Sequence, residues 1–154
     1  MVATAIPSAP PAGTILAFDF GTRRIGVAVG ESLTGLAHPL ATIAAERKDE
    51  RFAAIARLVD EWRPALLLIG LPTHADGTEH ELTVSARRFA RQLEGRFGVA
   101  VALVDERFTT HAATGALADA GVSTRKQRGV RYQVAAQFIL QAYLDEHGTN
   151  ERTA

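Results

Sequence analysis

The chain has 154 residues with 47% hydrophobic and 22% charged side chains, the composition of an ordinary soluble globular protein with a single core. Its 17 basic and 17 acidic residues balance, so net charge provides no strong non-specific attraction to nucleic acid. The absence of cysteine excludes disulfides and thiolate metal sites.

The two ends of the chain are expected to lie outside the folded domain. Residues 1–13 contain three prolines and have no basic start, which predicts a disordered leader and not a signal peptide. The domain is expected to span 14–147, followed by a flexible tail at 148–154. The longest apolar runs, 65–69 and 99–104, are too short to span a bilayer, so we expect a cytoplasmic protein with no membrane partner.

Three strands are predicted at the start of the domain. The apolar segments 14–19 and 25–29 flank a turn at Gly21 and predict a hairpin. A third strand at 36–43 contains Pro39, which favours the edge of a sheet. The domain is therefore expected to begin as an antiparallel meander.

Helices and strands alternate after the meander. Apolar residues recur at helical spacing over 49–62, and Pro64 prevents that helix from continuing. The later elements are predicted in this order: strand 65–70, helix 79–96, strand 99–104, a helix from Thr109 or Thr110 to Ala120, a basic irregular loop at 121–131 and helix 132–146. This order predicts an α/β, ribonuclease H-like fold, in which helices flank a five-stranded mixed sheet. A doubly wound Rossmann sheet would need a helix after the first strand.

Acidic residues occur where two buried strands end. Asp19 ends the first strand, and Asp105 and Glu106 follow the fifth. Carboxylates fixed at neighbouring strand ends can hold Mg²⁺ or Mn²⁺ against a phosphate, as metal-assisted phosphodiester hydrolysis requires. Because side chains alternate along a strand, one member of the pair can face Asp19; we favour Glu106 as the ligand, with Asp105 as the second candidate. In the alternative interpretation Asp19 only caps its turn.

Phosphate-binding groups are expected around these acids. Gly21 lets a phosphate approach the backbone closely, and Thr22 adds a hydroxyl donor. The basic side chains expected to position phosphates are Arg23, Arg24, Arg107, Arg125, Lys126 and Arg128. A salt bridge to its acidic neighbours is the alternative role for Arg107. The arginine cluster within 87–96 is interpreted as a solvated helix face.

Four separated blocks of the chain, in order, resemble the YqgF/RuvX family, nucleases of pre-16S rRNA that are similar to Holliday junction resolvases. The blocks are residues 16–29, 70–72 with 76–78, 104–110 and 135–144. The resemblance covers about 14–146 and implies a ribonuclease H-like fold, a cytoplasmic location and a divalent-metal nuclease that acts on the 5′ end of immature small-subunit rRNA. It also implies that Asp19 is the first metal ligand and that the Asp105–Glu106 pair supplies the second.

One position departs from the family pattern. The family has an aspartate shortly before the double alanine, at the start of the last helix, where this chain has Tyr132. A neutral phenol is a poor ligand for Mg²⁺ and lacks the negative charge that a helix N-terminus favours. Asp145 is roughly 20 Å farther along the helix and cannot substitute. Asp76 is the remaining nearby candidate, although a structured turn is its alternative role.

The leading hypothesis is a hydrolase, a metal-dependent nuclease in ribosome biogenesis whose activity is weakened by Tyr132. One alternative is a Holliday junction resolvase-like enzyme on branched DNA, and another is a non-catalytic assembly factor that binds RNA or a ribosomal precursor. A nucleotide-binding ATPase or sugar kinase would need two such domains, which 154 residues cannot supply. The sequence leaves open whether the protein is a monomer or a homodimer.

Overall fold

The computed structural model describes residues 13–72, 81–105 and 124–153, with the side chains of 124–129 and 148–153 excepted. These residues form five strands and three helices. In chain order they are β1 (Thr14–Asp19), β2 (Ile25–Glu31), β3 (Leu36–Ile43), α1 (Lys48–Trp62), β4 (Leu66–Leu71), α2 (Glu81–Phe97), β5 (Ala100–Asp105) and α3 (Thr124–Thr153).

The strands form one mixed sheet in the order β3-β2-β1-β4-β5, which confirms the predicted architecture. β1, β2 and β3 pair antiparallel, while β4 runs parallel to both β1 and β5. β3 is an edge strand, as Pro39 predicts, and the register with β2 shifts between Val27 and Ala28, next to the pair that Ala28 forms with Pro39. β1 lies at the centre, so its last residue is surrounded by sheet on both sides.

Alternating side chains of β1 contribute to two separate cores. Leu16 and Phe18 face α1 and α2, whereas Ile15 and Ala17 face α3. All four are completely buried. The fold is therefore a three-layer arrangement. Neighbouring residues of a strand point to opposite faces of the sheet and so contact different helical layers.

Helix α3 is also bonded to the edge strand by side chains. Gln141 accepts a hydrogen bond from the Ala37 amide at 3.0 Å and donates to the Gly35 carbonyl at 2.8 Å. Gln137 donates to the Ala37 carbonyl at 3.1 Å. These bonds fix the helix along the outer part of the sheet.

The main difference from the sequence prediction is the start of α3. The helix begins at Thr124, so the irregular loop expected at 121–131 is wrong from Thr124 onward. Arginine, lysine and glutamine are good helix formers, and Gly129 alone cannot break the run. The helix also continues to Thr153, through most of the segment where a tail is expected.

Several expectations fall outside the described residues: the leader up to residue 12, the candidate acid Asp76, the first residues of the helix predicted at 79–96, and the helix expected to end at Ala120. In the part of the chain that the structure describes, no helix is both long and apolar enough to cross a membrane.

Candidate active site

Asp19 lies at the end of the central strand with a glycine on either side. Its register partners are Gly26 on β2 and Gly70 on β4. Because Ile15 and Ala17 face α3, the alternation places the Asp19 side chain on the α3 face of the sheet. Neither flanking residue has a side chain that could fill the space beside the partly buried carboxylate. The two register partners of Asp19 therefore leave its carboxylate without a neighbouring side chain from β2 or β4 on the α3 face.

Helix α3 contacts the sheet directly beside Asp19. A Cβ atom placed on Gly26 would lie 1.8 Å from the carbonyl oxygen of Tyr132 and 2.8 Å from its Cβ. Only a glycine allows such an approach. Since Gly26 is paired with Asp19, the contact brings Tyr132 to the same end of the sheet as Asp19. Tyr132 is the residue where the family resemblance implies an aspartate.

The sequence prediction placed Tyr132 at a helix N-terminus, and the structure shows that this is wrong. The helix begins at Thr124, so Tyr132 is about two turns into α3. The guanidinium carbon of Arg131 lies 5.3 Å from the centre of the partly buried Tyr132 ring. An acid at this position would depend on its neighbours at the strand end, because the effect of a helix N-terminus falls off within the first turn.

The alternation of side chains along β5 shows on which face of the sheet Asp105 lies. Val101 and Leu103 pack on the α1–α2 face, while Ala102 and Val104 pack on the α3 face. The exposed Asp105 shares the parity of Leu103, so its side chain is on the face opposite Asp19. Glu106 and Arg107 lie outside the described residues. Within the described ranges, no group of three or more histidine, aspartate or glutamate side chains could hold a metal ion.

The turn after Asp19 is held by an arginine that the sequence analysis missed. Arg51 on α1 donates from Nε to the Ala45 carbonyl at 2.6 Å and from Nη2 to the Gly21 carbonyl at 2.7 Å; Nη2 also bonds the Thr22 carbonyl. Only 8% of Arg51 is exposed. Burial lowers the pKa of Arg51, and the negative charge of Glu46 partly opposes this shift.

A sequence signal for Arg51 existed. It stands four residues before the fully buried Ile55, on the apolar stripe of the predicted helix, where a charged residue must find buried partners. The turn also requires Gly21 itself, because a Cβ there would be 2.5 Å from the Arg24 carbonyl oxygen. The backbone of the predicted phosphate-binding turn is thus fixed from two directions.

The residues predicted to contact phosphate differ in their exposure and in their contacts. Arg23 is exposed and its Nε lies 3.4 Å from the Glu46 carboxylate, whereas Arg24 is partly buried beside Gly21. Thr22 is exposed on the same turn. The other predicted phosphate contacts are not described at side-chain level: Arg107, which is outside the described residues, and Arg125, Lys126 and Arg128, which lie in the first turns of α3.

The sequence model of the RuvX family, described as Holliday junction resolvase, matches residues 13–146. The chain belongs to the RuvX family. A relative from Nitrosospira multiformis is 57% identical over 139 residues, covering 90% of this chain and 92% of the relative. One from Chromobacterium violaceum is 57% identical over 135 residues, covering 87% and 98%. Both are named "Putative pre-16S rRNA nuclease".

Solved structures resemble this RuvX protein in fold. The Fowlpox virus resolvase, solved with Holliday junction DNA, has a TM-score of 0.58 at 8% identity and covers 86% of this chain and 97% of its own. The yeast mitochondrial Holliday junction resolvase has a TM-score of 0.54 at 10% identity, with coverage of 96% and 84%. At such identities the likeness shows the fold alone, and it confirms the ribonuclease H-like architecture.

Membership of the RuvX family confirms the class of protein that the sequence predicted. The family is one of nucleases, so this chain is a hydrolase that acts on phosphodiester bonds, and its substrate is a nucleic acid.

Proposed function

We propose that this RuvX protein is a cytoplasmic, metal-dependent nuclease that processes the 5′ end of pre-16S rRNA during ribosome biogenesis. The observation that carries the proposal is the strand end around Asp19. Two glycines flank this carboxylate, and α3 brings position 132 against the same pair of strands. The name shared by the relatives supports RNA as the substrate.

Asp19 and Glu106 are the residues proposed to hold Mg²⁺ or Mn²⁺. The side chain of Asp105 is on the face of the sheet opposite Asp19, so of the two acids we propose Glu106 as the ligand. Two carboxylates are a sufficient protein contribution, because Mg²⁺ commonly keeps several waters and binds substrate phosphate as well. Bound there, the cation would offset the negative charge that develops on the phosphate during hydrolysis.

The residues of the turn are proposed to position the substrate. The backbone of Gly21 and Thr22, with Arg23, Arg24 and Arg107, would contact phosphates beside the scissile bond, and Arg125, Lys126 and Arg128 would contact phosphates farther away. Such contacts fix the register of a strand without reading its sequence. Arg51 acts as a positioning residue, since it bonds the carbonyl groups of the turn.

The test is a cleavage assay on precursor 16S rRNA and on a four-way DNA junction, with and without Mn²⁺. We expect metal-dependent cleavage of the RNA and loss of cleavage in Asp19→Asn, which keeps the size of the side chain and removes its charge. Unchanged cleavage in that variant would refute the assignment of Asp19. Preferential cleavage of the junction would instead favour the resolvase alternative, for which the description of the family model is the support.

Tyr132 favours one other candidate, a non-catalytic assembly factor that binds RNA. A neutral phenol stands at the end of the sheet where the family has its third acid, so metal binding would be incomplete. Titration calorimetry with Mg²⁺ and Mn²⁺, next to the cleavage assay, separates the two functions. RNA binding without heat of metal binding and without cleavage is the result expected of an assembly factor. Light scattering with size exclusion would show whether the active species is a monomer or a homodimer.

A further inference from the structure

A groove between α1 and α2 opens beside Asp19, on the face of the sheet opposite α3. It has a volume of about 270 Å³ and contains Phe20, the residue that follows Asp19. Its polar lining comes from both helices and consists of Lys48, Arg51, Ser85, Arg88 and Gln92, with Glu46 at the start of α1. The groove therefore begins where the proposed active site ends.

Arg51 places a positive charge in this groove, which the negative charge of Glu46 compensates only in part. It forms no salt bridge with any described carboxylate, and its hydrogen bonds to described groups use Nε and Nη2 only. The Nη1 donors are therefore available although only 8% of the residue is exposed. A buried cation without a direct salt bridge is unfavourable, and an anion in the groove would supply both negative charge and hydrogen-bond acceptors.

The rest of the groove is also positive, because the acid in its lining, Glu46, and the nearby Asp49 both form ion pairs with other arginines. Glu46 lies 3.4 Å from Arg23, and at the start of α1 Asp49 lies 3.0 Å from Arg47. Lys48 makes no ion pair among the described residues, and the same holds for Arg88. Two cations of the groove are thus available to a ligand in addition to Arg51.

The groove continues away from the active site and contains aromatic surface. A second depression of about 740 Å³ shares Lys48 and Phe52 with the first and extends to Arg96 and Phe97. The guanidinium carbon of Arg96 lies 4.1 Å from the centre of the Phe52 ring. Cations that alternate with aromatic rings along a groove are the pattern that binds single-stranded nucleic acid.

We propose that this groove binds a phosphodiester of the substrate strand next to the scissile bond, through Arg51, Lys48 and Arg88. The inference rests on the proposed function, because it assigns a path to the substrate of the same enzyme. The strand would pass over the end of β1, from the α3 face to the α1–α2 face. The arginine cluster on α2, interpreted from sequence as a solvated face, would then be divided between the groove and the solvent.

The test measures binding of a short, fluorescein-labelled single-stranded RNA by anisotropy. It is done without divalent metal and in the Asp19→Asn chain, so the result does not depend on cleavage. The test variant is Lys48→Ala/Arg88→Ala, and the matched control is Arg57→Ala/Arg91→Ala. The control removes the same charge from the exposed surface of the same two helices, outside the proposed groove. Circular dichroism checks that every variant is folded.

We expect the groove variant to bind about tenfold more weakly and the control to change by less than twofold. The salt dependence should weaken as well, by about 0.7 in the slope of log K against log salt for each lost phosphate contact. Equal effects of the two variants, or no binding by the parent chain, would overturn the proposal. Saturation by a nucleoside monophosphate with no gain from a longer strand would overturn the assignment of a strand. Failure of Asp19→Asn to lower cleavage would count against the active site and not against the groove.

Discussion

The carbonyl oxygen of Tyr132 occupies the place where a side chain on Gly26 would begin, with a separation of 1.8 Å from the position of a Cβ atom. The contact joins α3, at the residue where the family resemblance implies an aspartate, to the strand paired with Asp19. It requires glycine at residue 26 whatever the side chain at residue 132 is. The geometry of the site is therefore set by backbone packing before any metal ligand is considered.

Substitution of Gly26 by alanine is expected to push α3 away from the sheet. The clash is with backbone, which cannot rotate away, so we expect the free energy of unfolding to fall by about 2 kcal/mol or more, as in other overpacked cores. Urea unfolding measures the change. Gly95→Ala is the matched control: nothing lies within 4 Å of its Cβ position on α2, and there alanine should stabilise by about 0.5–1 kcal/mol. Equal stability of Gly26→Ala and the parent chain would contradict the observed packing.

Tyr132→Asp is expected to raise metal affinity and the rate of cleavage. The substitution restores a carboxylate at the end of the sheet where Asp19 lies, and Mg²⁺ prefers charged oxygen ligands. Titration calorimetry with Mg²⁺ and a cleavage assay with Mn²⁺ measure the two effects. Tyr132→Asn controls for loss of the ring without gain of charge. If Asp and Asn at this position behaved alike, the missing carboxylate charge would not limit metal binding or cleavage.

Arg51→Lys is expected to loosen the turn that follows Asp19. An ammonium cannot reproduce the forked bonds to the Ala45, Gly21 and Thr22 carbonyls, and hydrogen bonds from a charged donor contribute about 1.5–3 kcal/mol each. We expect a loss of about 2 kcal/mol or more in urea unfolding and a lower kcat. Arg47→Lys is the control, since Arg47 is exposed in its pair with Asp49 and should change stability by less than about 0.5 kcal/mol.

Tyr143→Phe is expected to leave stability unchanged or to raise it by about 1 kcal/mol. The Tyr143 hydroxyl is buried and has no hydrogen-bond partner among the described residues, so its removal relieves a desolvation penalty.

Burial raises the pKa of Tyr143. The folded chain therefore keeps this proton above about pH 10, where the unfolded chain loses it, and stability falls as pH rises through that range. The phenylalanine variant should lose less stability between about pH 9 and 11; an identical decline in both chains would refute this role.

Much of the fold could be predicted, because the strands are short and apolar and the helices have apolar residues at helical spacing on one face. Thr14–Asp19 was predicted with its observed bounds, and Pro39 marked an edge strand. The start of α3 was not predicted, because residues 124–129 give no apolar periodicity, although several of them are good helix formers. The acid at the end of β1 was visible in sequence. Arg51 could be noticed as a charge on an apolar stripe, but its role could not be predicted, because its partners are carbonyl groups that only the fold brings close.

Glutamine side chains of α3 bind the peptide groups of Ala37 on the outermost strand. An incoming chain would find these groups already occupied, and a few residues farther along the same strand it would meet Pro39, which has no amide hydrogen to offer. Crowded copies of the protein are thus hindered from stacking strand to strand on this side. The helix that packs beside Asp19 thus also hinders aggregation along the β3 edge.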